Sequence, residues 1–196
     1  MSDHHDDLAA TKTEGFKVGE KKTMEEYQQL DKDDEAMVRW KASLGLNAGN
    51  PVGKAGDPKC VIKSLALRVQ GRPDVTIDLA TPEAVSKLKD QPFTIKEGAK
   101  FHIQVVFQVN HDVLSGLKYL QVVKRKGVRV SKDQEMLGSF APSTDQKPVY
   151  VKEFAEEEAP SGMLLRGHYN AVSKFLDDDE HTHLQFEWSF DITKEW

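Results

Sequence analysis

From Phe101 the chain alternates: Phe101, Ile103, Val105, Phe107 and Val109 are large and apolar, with His102, Gln104, Val106 and Gln108 between them. A period of two puts one set of side chains on each face of a strand, and the apolar face has to be buried. A second run opens at Val61 and sets Lys63, Leu65, Leu67 and Val69 on one face. Shorter runs near 75–79, 93–96, 117–124, 149–154, 165–175 and 183–192 are separated by turn residues. Seven or more short strands at this spacing predict an antiparallel β-sandwich. The segment TPEAVSKLKDQ, 81–91, predicts a single helical turn crossing between the two sheets.

Upstream the period is helical. Thr23 and Glu26 have the spacing of a capping box, followed by Met24, Tyr27 and Leu30. A second helix is predicted from Asp33, its cap, through Met37, Trp40 and Leu44 on one stripe, to a stop at Gly45. Neither stripe is wide enough to build a core, and isolated helices this short are marginal in water, so the pair is expected to fold on another surface. Residues 1–22 carry too few large apolar side chains to repay the entropy of ordering and are predicted to be a disordered tail. NAGNPVGKAGDP, 47–58, reads as a linker. The predicted organisation is a tail at 1–22, a helical arm at 23–46, a linker at 47–58 and a sandwich at 59–196.

Composition narrows the function classes. Charged residues make up 30% and hydrophobic ones 38%, the balance of a soluble globular protein. No apolar run approaches the ~18 residues of a membrane span, and MSDHHDDLAATK lacks the basic-then-apolar build of a signal peptide, so a cytoplasmic protein is expected. The single cysteine, Cys60, excludes an internal disulfide and reads as a small core residue. A net charge of -5 argues against nucleic acid as the principal partner. Most of that charge is local, because residues 1–50 hold 11 acidic and 7 basic side chains, a balance of -4.

Candidate chemistry is sparse. There is no phosphate-cradling glycine loop. Ser115-Gly116, in VLSGLK, lacks the flanking glycine of a nucleophile elbow and reads as a turn. The run DKDDE from Asp31 has Ala36 where a calcium loop needs glycine. His181 and His183 next to Asp177, Asp178 and Asp179 could ligate a metal, yet no preorganised third ligand is evident from their spacing. Lys124, Arg125, Lys126 and Arg129 read as a charged hairpin end, with a lipid-headgroup site as the other reading. The expectation is a binding protein and not an enzyme, without cofactor or metal.

Three stretches, LDKDDEAMVRWKASLG, FTIKEGAKFHIQVVFQVNHDVLSGLKYLQVVKRKGVRV and EEAPSGMLLRGHYNAVSKFLDDDEHTHLQFEWSF, resemble the Rho guanine nucleotide dissociation inhibitor family. The resemblance implies an immunoglobulin-like sandwich with a lipid pocket, preceded by a flexible arm that folds into a helical hairpin on a GTPase. It implies prenylated, GDP-bound Rho-family GTPases as partners, a geranylgeranyl group as bound lipid, extraction of the GTPase into the cytosol and no stable membrane insertion. By the same resemblance Tyr27, Leu30, Asp34, Met37, Trp40 and Leu44 of the arm face the GTPase, as do Glu157, Glu158 and Asp179 of the sandwich. The prenyl slot is assigned to Leu65, Leu67, Phe93, Phe107, Val113, Leu117, Phe186 and Trp188. Phe186 departs from the tryptophan of animal members. Two rival readings remain: a prenyl carrier without control of nucleotide exchange, which would need no acidic arm, and an immunoglobulin-like adhesion domain with a solid interior.

Overall fold

The computed structural model describes residues 8–10, 22, 26, 29, 30, 32–43 and 50–196. In chain order the elements are α1 (Glu35–Ser43), β1 (Cys60–Val69), β2 (Val75–Asp78), α2 (Pro82–Lys87), β3 (Phe93–Lys96), β4 (Lys100–Val109), β5 (Leu114–Arg125), β6 (Val128–Phe140), β7 (Tyr150–Glu153), β8 (Glu157–Glu158), β9 (Gly167–Leu176) and β10 (Thr182–Thr193). One sheet has the order β2-β1-β4-β7, with β8 also pairing β4, and the other has the order β3-β10-β9-β5-β6. The two face each other as an immunoglobulin-like sandwich.

The alternation of β4 is realised residue by residue. Phe101, Ile103, Val105, Phe107 and Val109 are buried, and the residues between them are only half-buried. One pair departs from the predicted antiparallel pattern, because β3 lies parallel to β10, with Phe93 opposite Phe190. The chain leaves β2 in the first sheet, crosses over through α2 and enters the second sheet alongside β10. The crossing is the helical turn foreseen in the sequence: the Thr81 side chain accepts a hydrogen bond from Ala84 N and Pro82 starts the helix.

Strand β6 carries little alternation because it is an edge strand, exposed along most of its length. It is held by its pairing with β5 through a two-residue turn, Lys126-Gly127, in which both residues have positive φ (50° and 81°), the geometry of a hairpin turn that matches strand twist. Strand β5 is buried on both faces between Tyr119 and Val123. Its inward residues meet the core, whereas Leu120 and Val122 point outward and are covered with Leu176 by Leu8. Leu8 is only 4% exposed, and Lys132 Nζ donates to the Ala9 carbonyl at 3.1 Å, so part of the segment predicted to be a disordered tail packs on the sandwich.

The described part of the predicted linker, 50–58, is tied down as well. Val52 N donates to the Ser143 carbonyl at 2.9 Å, Pro51 bridges to Thr144, and a Cβ at Gly53 would overlap the Asn110 side chain. In the arm, α1 is capped one residue later than the sequence implies. Asp34, not Asp33, turns its Oδ1 to Ala36 N (2.9 Å) and Met37 N (3.2 Å). Lys41 Nζ reaches back to the Leu30 carbonyl. The predicted first helix lies almost wholly outside the described residues, with Glu26 and Gln29 helical.

Ser115-Gly116 forms a bulge inside β5 and not a turn, since Leu114 pairs with Phe140 while Leu117 pairs with Gly138. Gly116 has φ 59°, and a Cβ there would overlap the Asp178 carboxylate, itself held by Lys118 Nζ at 2.6 Å. Gly116→Ala is therefore expected to lower stability by about 1–3 kcal/mol, read as a reduced urea midpoint with an unchanged slope.

Candidate functional site

At one end the sandwich is solid. Phe107 packs against Phe140 (ring centroids 4.8 Å apart) and Tyr150 (5.7 Å), and Leu114 and Leu117 are fully buried beside this half of the core. At the other end the inner faces part, leaving a cavity of about 470 Å³. The period of two supplies its walls: Leu65 and Leu67 from β1 and Phe101 and Ile103 from β4 on one side, Tyr119, Gln121 and Val123 from β5 and Trp188, Phe190 and Ile192 from β10 on the other. The aromatic rings on the β10 side brace one another, with Trp188 5.4 Å from Phe190 and Tyr169 stacked on Phe190 at 5.1 Å. A concave, mostly apolar space of this size suits a flexible hydrocarbon ligand.

The polar groups in this wall are turned on one another. Trp188 Nε1 can only donate, and it donates to Ser173 Oγ at 2.9 Å. The serine hydrogen is then left for Tyr119 Oη, 2.8 Å away, and the tyrosine donates onward to Gln121 Oε1 at 2.6 Å. Burial pushes the Tyr119 phenol well above its ordinary range, so it stays a neutral donor. The chain of hydrogen bonds lets four polar side chains sit in or behind an apolar wall without an orphaned group.

The mouth is charged. Glu157 and Glu158 of β8, Asp133 of β6 and Arg125 of β5 line it, together with Val130 and Leu165. Desolvation at the rim, together with the nearby charges of Asp133 and Glu135, holds the Glu157 carboxyl above the usual carboxylate range. An acidic group in that condition is relieved by a cation.

A second acidic group lies at the far end. Asp177 is buried; desolvation would raise its carboxyl, but the His183 Nε2 hydrogen bond (3.1 Å), the His181 amide and the charges of His183 and Lys59 together hold it below the usual range. Asp179 lies 4.0 Å from Lys59 Nζ. Carboxylates of Asp177 and Asp179 and a ring nitrogen of His181 lie within 4.8 Å of one another, and both oxygens of Asp177 already accept hydrogen bonds. Strand β9 runs from the mouth at Gly167 to this loop after Leu176, so at roughly 3.3 Å per residue the two acidic groups are about 30 Å apart.

Of the eight residues assigned to the slot, Leu65, Leu67, Phe93 and Trp188 line the cavity. Phe107, Leu117 and Phe186 are buried in the core and are not part of its lining, and Val113 is half-buried in the loop between β4 and β5. Ile77, Phe101, Ile103, Tyr119, Phe190 and Ile192 line it and were not among the assigned residues. Strand alternation identified Phe101 and Ile103 as inward-facing, but nothing local marks which half of a strand faces open space. In the arm, Met37 and Leu30 are half-buried and Asp34 is occupied as a cap, while Tyr27, Leu44 and the Trp40 side chain lie outside the described residues.

A sequence model of the family described as RHO protein GDP dissociation inhibitor matches residues 1–195. A Rho GDP-dissociation inhibitor of Saccharomyces cerevisiae is 42% identical over 182 residues, covering 91% of this chain and 90% of the yeast protein. The Rho GDP-dissociation inhibitor of Schizosaccharomyces pombe is 43% identical over 180 residues, 91% of this chain and 86% of its own. Rho GDP-dissociation inhibitor 1 of Homo sapiens is 36% identical over 181 residues, 92% of this chain and 86% of the human one.

Ser173→Ala removes the link in the wall's hydrogen-bond chain and leaves Trp188 Nε1 with no acceptor in an apolar setting. A loss of about 1–3 kcal/mol is expected in urea unfolding, with intrinsic tryptophan emission altered in the folded state.

Proposed function

Because the chain belongs to the RHO protein GDP dissociation inhibitor family, we propose that it binds prenylated, GDP-bound Rho-family GTPases, buries the geranylgeranyl chain in the cavity and keeps the complex in the cytoplasm. The observation that carries this reading is the apolar cavity of about 470 Å³ opening beside Glu157 and Glu158. A prenyl group holds a GTPase on a membrane because its hydrocarbon avoids water, so a soluble carrier has to offer an equally apolar environment, at about 0.8 kcal/mol per methylene. No helix among the described residues is long and apolar enough to cross a membrane. The protein in this reading meets the bilayer from outside.

The acidic rim complements a basic segment next to the lipid of the partner, where opposite charge speeds encounter and fixes orientation. The arm, residues 23–46, supplies the control of nucleotide. Helices laid on the GTPase switch loops restrict the movements that release nucleotide, and they favour the GDP form to the extent that its surface fits better. Residues 47–58 are the linker and 59–196 the lipid-binding sandwich in this division. Asp34 spends its carboxylate on capping α1 in the free chain, so any switch contact it makes has to share or replace that bond.

The full chain is expected to move a prenylated, GDP-loaded Rho GTPase from liposomes to the supernatant and to slow GDP release. A chain beginning at Asn50, which keeps the anchor of Pro51 and Val52, should retain lipid binding and lose most of the effect on nucleotide. Equal extraction by both chains with unchanged GDP release would leave a prenyl carrier only, and no extraction by either would remove the proposal.

The rim also sets a pH dependence. The Glu157 carboxyl is raised in the free protein and a cationic partner favours its ionised form, so affinity is full at pH above its titration and declines as pH falls through that raised range. In a titration against a GTPase carrying its basic tail, Glu157→Gln is expected to flatten this decline and to reduce the salt dependence.

A further inference from the structure

The loop between β8 and β9 exposes the two least buried large apolar side chains among the described residues, Met163 at 78% and Leu164 at 83%. This is not a slack loop. Its backbone is turned inward and bonded: Arg125 Nη1 donates to the Leu164 carbonyl and Nη2 to the Arg166 carbonyl, each at 2.5 Å, and Tyr169 Oη donates to the Leu165 carbonyl at 2.6 Å. Glu97 accepts from Gly162 N at 2.8 Å and takes the Arg166 guanidinium in a two-point pair, with Nη2 at 2.6 Å and Nε at 3.0 Å. With so many polar atoms satisfied from behind, the loop is built to present its apolar side chains outward.

The same arginine joins the loop to a second exposed element. Arg125 pairs with Val128 at the tip of the β5–β6 hairpin, where Val128 and Val130 are also exposed. From Lys124 to Val130 the sequence reads KRKGVRV, with basic side chains at Lys124, Arg125, Lys126 and Arg129 and no acidic one. Val130 and Leu165, from the two elements, are also cavity-lining residues, so both exposed elements border the opening of the slot. The acidic residues of the mouth, Glu157, Glu158 and Asp133, line it as well and are the groups assigned above to the partner's basic tail.

We propose that the hairpin tip and the 161–166 loop together form a docking surface for an anionic lipid bilayer, placing the cavity mouth at the membrane surface. Apolar side chains set among cations match that interface in both its parts, since hydrocarbon enters the headgroup region while lysine and arginine meet the anionic lipids. A groove for a protein segment would partly enclose such side chains, whereas Val128, Met163 and Leu164 are 67–83% exposed. Docking there gives an apolar chain leaving the bilayer a route into the slot that does not cross water. The inference rests on the lipid-carrier reading above, and it is tested without any GTPase so that the two can fail separately.

The full chain is sedimented with vesicles of phosphatidylcholine alone and of phosphatidylcholine with phosphatidylserine, next to Met163→Ser/Leu164→Ser and Lys126→Gln/Arg129→Gln variants. Wild type is expected to co-sediment with the anionic vesicles and much less with the neutral ones. The charge variant should lose about fivefold in partitioning per cation removed, and the serine variant about tenfold or more, with far-UV circular dichroism unchanged in both. Wild type remaining in the supernatant with anionic vesicles, or both variants partitioning as wild type does, would overturn the proposal. So would variants that keep vesicle binding and lose affinity for a GTPase carrying no lipid, because the surface would then be a protein contact. Extraction of a prenylated GTPase by wild type reports independently on the carrier reading.

Discussion

Every functional feature of this sandwich depends on an uneven distribution of packing between its two ends. Phe107, Phe140 and Tyr150 meet in one tight cluster, with Leu114 and Leu117 fully buried beside it, so one half of the fold has a dense core. That half supplies the cohesion that the other half gives up by keeping its facing apolar residues apart. A cavity walled by side chains forgoes their mutual dispersion contacts, and the loss grows with its volume. The closed end therefore stabilises an open end that would not persist by itself, and an apolar ligand of matching shape would restore the missing contacts.

Polar chemistry follows the same division. Inside, Trp188, Ser173, Tyr119 and Gln121 satisfy each other and leave an apolar wall. At the mouth, the carboxylates of β6 and β8 and Arg125 at the base of the basic hairpin tip line the same opening, so charge of both signs borders an apolar space. At the far end, the hydrogen bonds from His183 and the His181 amide help hold the Asp177 carboxyl below the usual range, and Asp179 approaches Lys59. The two acidic groups that look alike in sequence are thus in different physical states, one strained toward protonation and one held ionised.

Local periodicity carried much of the architecture. The alternation of Phe101 to Val109 specified a half-buried strand and its inward face, and Pro82 after Thr81 specified the crossing turn, because both signals depend only on neighbours a few residues away. The stripe at Met37 and Trp40 marked α1, with an error of one residue in its cap that two adjacent aspartates made unavoidable. Other elements left no local trace. Strand β6 has almost no buried face and exists through pairing with β5; β3 is parallel to β10 because of where the crossover delivers the chain; and Leu8, in a polar segment, is buried only because β5 and β9 bring Leu120, Val122 and Leu176 together beneath it.

The site divides along the same line. The sequence by itself determined which residues are apolar and inward-facing, that the arm is acidic with a helix at Glu35–Ser43, and, through long matching stretches, the family. Only the tertiary structure decided that Leu65, Leu67, Phe93 and Trp188 border open space while Phe107, Leu117 and Phe186 lie in solid core, since inward-facing residues of both kinds have the same pattern. The reason is physical: alternation encodes the direction of a side chain relative to its own strand, whereas the gap it faces is set by how closely a second sheet, assembled from distant parts of the chain, can approach.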